Sequence, residues 1–174
     1  LLALAEHYQL KVRLKPILDT SQPLVEWHTQ LYRYARLAEK YRLPFGGICR
    51  PDENGVRACC ALFCYSEQRG IANNITLALL SAIWAEGRDV SHLSHLKTLL
   101  KTHNCVVPQL KTLINSAQWL AQIEQYTVEW AALEVAEVPS FYLQGHRRIV
   151  FSGAHRLWAI EMAIVDNMKL IGTI

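Results

Sequence analysis

Apolar residues recur every three to four positions over most of the chain, which is the spacing of an amphipathic helix. One clear stripe consists of Ile75, Ala78, Leu79, Ala82 and Ile83. Similar stripes predict a helix at residues 1–8, one after Pro23, two at about 56–70 and 71–87, one capped by Asp89 or Ser91, two more starting near Pro108 and Ser116, and a last one at 155–167.

Three short segments have strand-like patterns instead. Residues 11–17 alternate polar and apolar side chains and predict a half-buried strand, which Pro16 favours at a sheet edge. Residues 140–143 and 148–151 predict two strands joined by a two-residue turn at Gly145 and His146. This order of elements favours an α/β fold in which a small sheet carries a helical insertion.

Composition narrows the class of protein. The 174 residues are 51% hydrophobic and 19% charged, as in a globular domain, and the net charge is +3. The charges are scattered, so we expect no nucleic-acid partner. No apolar run is long enough for a membrane span, and the leading Leu-Leu-Ala-Leu-Ala is too short for a signal peptide.

The five cysteines form no Cys-x-x-Cys motif. Their odd number argues against a disulfide-stapled secreted domain and indicates a reducing, cytoplasmic location. Cys60 and Cys64 are four residues apart, so on a helix they share one face and are expected to be buried as small apolar side chains.

Histidines are the remaining candidates for a metal site. His92 and His95 are three residues apart, and His103 follows nearby. A carboxylate or thiolate that would complete a ligand set is not evident, so we predict surface histidines and no metal. Phosphate loops, nucleophile elbows and paired carboxylates are also absent from the sequence.

A proline opens the first strand of the predicted hairpin, at Val138-Pro139, where the missing amide hydrogen is tolerated. Together with four other motifs in fixed order, this segment resembles the DsbA-type thioredoxin family. Within that family, the sequence is most similar to the 2-hydroxychromene-2-carboxylate isomerases and kappa-class glutathione transferases. The motifs are Pro44-Phe45, Arg50-Pro-Asp-Glu-Asn-Gly-Val-Arg-Ala58, Ile83-Trp-Ala-Glu-Gly-Arg-Asp-Val90, Val138-Pro-Ser-Phe141 and Gly153-Ala-His-Arg-Leu157.

The resemblance implies a thioredoxin-like sheet formed by residues 1–20 and 137–174, with an all-helical insertion at 24–136. It also implies a cis bond before Pro139 and a glutathione molecule lying against that loop. In the family, the first strand and the nucleophile, a serine or a Cys-x-x-Cys, precede the helix that corresponds to residues 1–8. We therefore expect the nucleophile upstream of residue 1 and leave the catalytic residue unassigned.

The residues that the resemblance assigns to glutathione binding are Val138, Pro139, Ser140, His155 and Asn54. Related enzymes have an aspartate at the position of His155, and an imidazole pairs poorly with the ligand's ammonium group. Asn54 either contacts the ligand or caps the helix that follows it.

Two functions are expected from these observations. The first is a thiol- or glutathione-linked oxidoreductase, isomerase or transferase that acts on a small-molecule thiol or thiol substrate. The second is a catalytically degenerate thioredoxin-like module that binds a partner. A homodimer is expected only by analogy with the relatives that the sequence resembles, whereas charge and apolar run length give the expectation of no nucleic-acid and no membrane partner.

Overall fold

The computed structural model describes residues 2–17, 24–135, 138–153 and 157–171. These residues form eight helices and two strands. In chain order they are α1 Leu2–His7, α2 Leu24–Tyr41, α3 Glu53–Glu67, α4 Ala72–Trp84, α5 Leu93–Thr102, α6 Leu110–Ile114, α7 Ala117–Ala131, β1 Phe141–Leu143, β2 Ile149–Phe151 and α8 Leu157–Ile171. The chain divides into two compact units: unit 1 is Leu1–Arg13 with Thr127–Ile174, and unit 2 is Leu14–Tyr126.

Helix α3 is the centre of unit 2. Every residue from Ala58 to Cys64 is buried except Cys59, which is half-buried. One side of the helix, with Leu62, packs against α4 and α5, and another side, with Phe63, packs against Trp119 and Ile123 of α7. A helix that is apolar on nearly all sides must be enclosed by others, and here α4, α5, α6 and α7 enclose it.

The start of α3 is fixed by a carboxylate. Asp52 is the N-cap, and its Oδ1 accepts a hydrogen bond of 2.8 Å from the Gly55 amide. The expectation that Asn54 caps this helix is therefore wrong, because Asn54 lies in the first helical turn. A carboxylate at the N-cap also interacts favourably with the helix dipole.

The caps predicted for α5 are also wrong. The helix begins after His92, and neither Asp89 nor Ser91 occupies the N-cap position. Asp89 Oδ1 instead accepts from the Ser91 amide in the preceding turn, at 2.8 Å. By contrast, Ser116 begins α7 as predicted, since its Oγ accepts from the Gln118 amide.

The strand predicted at residues 11–17 does not form; the segment is irregular. A strand requires backbone hydrogen bonds to a neighbouring strand, and among the described residues the one sheet contains only β1 and β2. The alternating pattern was therefore insufficient without a pairing partner.

Unit 1 contains an antiparallel hairpin in which Phe141 pairs with Phe151 and Leu143 with Ile149. The predicted two-residue turn is wrong, because five residues, 144–148, connect the strands. The first helix belongs to the same unit: the Tyr8 hydroxyl donates to Glu161 Oε1 of α8 at 3.0 Å. This hydrogen bond therefore joins the N-terminal segment of unit 1 to its C-terminal segment.

Candidate functional site

The two residues that begin the segment leading into β1 are exposed. The Val138–Pro139 peptide bond is cis. The Val138 side chain is 45% exposed, and Pro139 is exposed as well. Within the described part of the chain, neither the N–H nor the C=O of Val138 has a hydrogen-bond partner. A donor and an acceptor on one exposed residue can pair with an extended backbone or with an amide-containing ligand.

Ser140 holds this segment to the far end of the hairpin. Its Oγ accepts a hydrogen bond of 3.1 Å from the amide of Gly153, two residues beyond β2. Gly153 is buried and has a φ of +81°, a left-handed conformation that disfavours other residues. The bond therefore links the start of β1 to the exit of β2 and fixes the position of Val138 and Pro139.

Asn167 of α8 holds the opposite end of the hairpin. Its Oδ1 accepts from the Arg147 amide at 2.8 Å, and its Nδ2 donates to the Arg147 carbonyl at 3.2 Å. A Cβ on Gly145 would lie 2.9 Å from the same Oδ1, so this loop position requires glycine for space. The conformation of the loop at residues 144–148 is thus set by hydrogen bonds to α8 and not by a two-residue turn.

The predicted site residues fall into three groups. Val138, Pro139 and Ser140 form one continuous segment in unit 1. Asn54 is exposed in the first turn of α3, in unit 2, and His155 lies outside the described residues.

Sequence reasoning missed two residues that organise the site, Gly153 and Asn167. Asn167 had a detectable signal, because it follows Ile160 and Ile164 on the buried stripe of α8. A polar side chain at such a position usually has a specific hydrogen-bond partner.

All five cysteines are free thiols, and burial makes four of them poor nucleophiles. Burial raises the pKa of Cys60 to about 11. Burial, reinforced by nearby groups, raises the pKa of both Cys59 and Cys64 to about 12. The pKa of Cys105 is also raised by burial. Because the thiolate is the reactive form, these side chains are suited to packing and not to disulfide exchange.

His92 and His95 lie side by side, with ring centroids 5.6 Å apart, and both are exposed. His92 Nε2 is 3.4 Å from Asp89 Oδ2. No group of three or more metal-ligating side chains occurs in the described ranges of the chain. Nor does any helix in those ranges have the length and apolarity needed to cross a membrane.

Comparison with known proteins agrees with this architecture of a small antiparallel sheet and a helical insertion. A model of the DSBA-like thioredoxin domain matches residues 1–165. The chain belongs to this family. Its fold is the α/β, thioredoxin-like fold with an inserted helical part that the sequence predicts.

Two solved structures share this fold. A candidate protein disulfide isomerase from Nitrosomonas europaea is 16% identical, with a TM-score of 0.71, over 97% of this chain and 87% of its own. The cytosolic disulfide reductase DsbM from Pseudomonas aeruginosa is 19% identical, with a TM-score of 0.69, over 99% of this chain and 88% of its own. None of the curated proteins matches the chain.

Proposed function

We propose that this DSBA-like protein is a thiol–disulfide oxidoreductase whose substrate binds along residues 138–140. The observation that carries the proposal is the exposed residue Val138, whose N–H and C=O have no partner in the described part of the chain and whose position is held through Ser140 and Gly153. A substrate segment that pairs with Val138 would present its sulfur beside this loop. The names of the two structural neighbours, a disulfide isomerase and a disulfide reductase, support the same class of chemistry.

The attacking thiolate in this proposal comes from upstream of residue 1. The sequence has no Cys-x-x-Cys, and Cys59, Cys60 and Cys64 have raised pKa values. In the exchange step, the thiolate forms a bond to one substrate sulfur, the substrate disulfide breaks, and the second sulfur leaves as a thiolate. Residues 138–140 would orient the disulfide for that attack.

Glutathione is the small thiol that we propose for the same segment, with isomerase or transferase chemistry as the corresponding activity. The proposal rests on the similarity of the Val138-Pro-Ser-Phe141 motif to glutathione-using relatives. The same resemblance assigns the γ-glutamyl end of the ligand to His155, and we propose no metal for this activity.

A non-catalytic binding module is the second candidate function. The raised pKa values of four of the five cysteine thiols favour it, because these four are poor nucleophiles. In that case an extended segment of a partner would pair with Val138 without any exchange of sulfur.

The test uses the natural full-length protein. We expect it to reduce or oxidise a model dithiol catalytically, and we expect calorimetry to detect glutathione binding at millimolar concentration. Redox turnover without glutathione binding would eliminate the isomerase and transferase version only. Absence of turnover would eliminate the oxidoreductase, and retained binding of an extended peptide would then identify the binding module.

A further inference from the structure

Asn54 and Gly55 form the one Asn-Gly dipeptide of the sequence, and both lie in the first turn of α3. Asn54 is exposed, and among the described residues its side-chain amide has no hydrogen-bond partner. Because glycine has no side chain to shield its own amide nitrogen, that nitrogen can closely approach the side-chain amide of the asparagine before it. Two groups that can react with each other therefore lie at the start of the central helix of unit 2.

Packing requires glycine at position 55. Gly55 is buried, and a Cβ there would lie 2.7 Å from Ser91 Oγ and 2.9 Å from Pro51 Cβ. Ser91 Oγ donates a hydrogen bond of 2.6 Å to Asp52 Oδ1, so it could move away only by breaking that bond. A larger residue, which would shield the amide nitrogen, is therefore excluded at this position.

Asp52 holds the Gly55 amide away from the Asn54 side chain. The Gly55 amide donates to Asp52 Oδ1 at 2.8 Å, and the Val56 amide donates to the Asp52 carbonyl at 2.9 Å. Ring closure between Asn54 and Gly55 requires the chain at Asn54 to leave the helical conformation, which breaks the bond to Oδ1. The reaction rate therefore depends on how often the first turn of α3 opens, and helix ends open more readily than helix centres.

We propose that Asn54 is a site of spontaneous deamidation and that Asp52 controls its rate. When the first turn opens, hydroxide removes the amide proton of Gly55, and the nitrogen forms a bond to Asn54 Cγ. The bond between Cγ and the side-chain nitrogen breaks, and ammonia leaves. Water then opens the succinimide ring at either carbonyl, which yields aspartate or isoaspartate at position 54. Residues 138–140 take no part in this reaction.

The two products differ in their effect on α3. Isoaspartate adds one methylene group to the main chain, so the first helical hydrogen bond, from Val56 to Asp52, loses its geometry. Aspartate keeps the main chain and adds a negative charge next to Glu53. We expect the urea midpoint of the protein to fall as isoaspartate accumulates. Asn54→Gln, in which ring closure is disfavoured, should keep its midpoint over the same incubation.

Peptide mass spectrometry of the full-length protein incubated at pH 8 measures the rate at each asparagine. We expect Asn54 to react about tenfold faster, or more, in the urea-unfolded chain than in the folded protein, because the open first turn is a minority state. Asn115, which is also exposed and precedes a serine, is the internal reference. In the unfolded chain it should react more slowly than Asn54.

Variants test the control by Asp52. Asp52→Ala should raise the rate at Asn54 in the folded protein by about fivefold, the typical effect of a lost N-cap on helix opening. Asp166→Ala on α8, which removes the same charge elsewhere, should leave the rate unchanged. If amide spectra show that Asp52→Ala is unfolded, Ser91→Ala replaces it. That variant removes only the bond that orients Asp52 Oδ1, and it should raise the rate by about twofold or more.

Two results would each overturn the proposal. In the urea-unfolded chain, a rate at Asn54 no higher than the rate at Asn115 would show that the dipeptide is not reactive. In folded proteins, equal rates at Asn54 for the wild type and the cap variant would show that Asp52 does not control the reaction.

Discussion

Cys60 and Cys64 lie four residues apart on α3, and both are buried as the sequence pattern predicts. Their surroundings decide their chemistry, because an enclosed thiolate loses its hydration and the pKa rises. Val138 is the opposite case, an exposed apolar residue whose backbone has no hydrogen-bond partner among the described residues. The buried cysteines therefore contribute to the packing of unit 2, whereas the exposed Val138 belongs to the candidate site in unit 1.

Alkylation tests the cysteine chemistry. At pH 8, native Cys60 should react with iodoacetamide about a hundredfold more slowly than in the urea-unfolded chain, because its pKa of about 11 leaves little thiolate. Quenched labelling followed by peptide mass spectrometry measures each rate. Equal rates in the two states would contradict the burial of this thiol.

Charge at Val138 tests the substrate position. Val138→Glu should slow, and Val138→Lys should accelerate, the reaction of the full-length protein with a thiolate substrate by about three- to tenfold, since a charge a few ångströms away contributes roughly 1 kcal/mol. Val128→Glu on α7, at a side chain 69% exposed, is the matched control and should have no effect. Equal rates for all variants would place the substrate elsewhere.

Asp52 should make stability depend on pH. The Ser91 hydroxyl and the Gly55 amide hydrogen-bond its carboxylate and lower its pKa in the folded state. The contribution is therefore present above the unfolded pKa, near 4, and is lost as pH falls through the lower folded value. The urea midpoint of Asp52→Asn should fall less than that of the wild type between pH 6 and pH 2.

Asp166→Asn is the control for this pH dependence. Asp166 is exposed on α8, where its Oδ1 lies 4.0 Å from Lys169 Nζ. This variant should retain the wild-type pH profile. If the pH profile of Asp52→Asn coincides with those of the wild type and of Asp166→Asn, the cap contributes nothing to the acid sensitivity.

At the scale of elements, the helices are the part that the sequence predicts well. Their apolar stripes are local and strong, and α4 buries the five residues of its stripe, from Ile75 to Ile83. Predictions failed where a distant residue decides the outcome. The segment 11–17 has no strand partner among the described residues. The conformation of the hairpin loop is set by Asn167, which is twenty residues from Arg147 along the chain.

In the candidate site, too, the local features could be predicted from the sequence and the long-range contacts could not. The motif around Pro139 is contiguous and can be identified from the sequence. The hydrogen bond between Ser140 and Gly153 joins residues thirteen positions apart, and sequence periodicity contains no information about it. The prediction of the α3 cap was wrong for a local reason. Asp52 and Asn54 are both good cap residues, and only the backbone geometry at the start of the helix selects Asp52.

Asn167 gives the prediction for the hairpin. Asn167→Ala should lower the free energy of unfolding by about 1–2 kcal/mol, because the Arg147 amide and carbonyl both lose their partner. Asn74→Ala, at an exposed position on α4, should change it by less than about 0.5 kcal/mol. Urea denaturation measures both, and equal effects would contradict the role of Asn167.

At the scale of the whole molecule, the DSBA-like thioredoxin fold provides the frame and unit 1 contains the proposed substrate segment. The fold alone does not specify a reaction. What this chain adds is the exposed residue Val138, held through Ser140, together with four cysteines whose raised pKa values make them poor nucleophiles. The central claim is therefore that a sulfur-containing substrate binds at residues 138–140.

The most direct measurement is the change in amide chemical shifts when the full-length protein is titrated with a short disulfide-bonded peptide. The proposal predicts saturable shifts at Val138 and Ser140, with a smaller response at Gly153. Saturable binding that leaves the Val138 and Ser140 amides unchanged would contradict it.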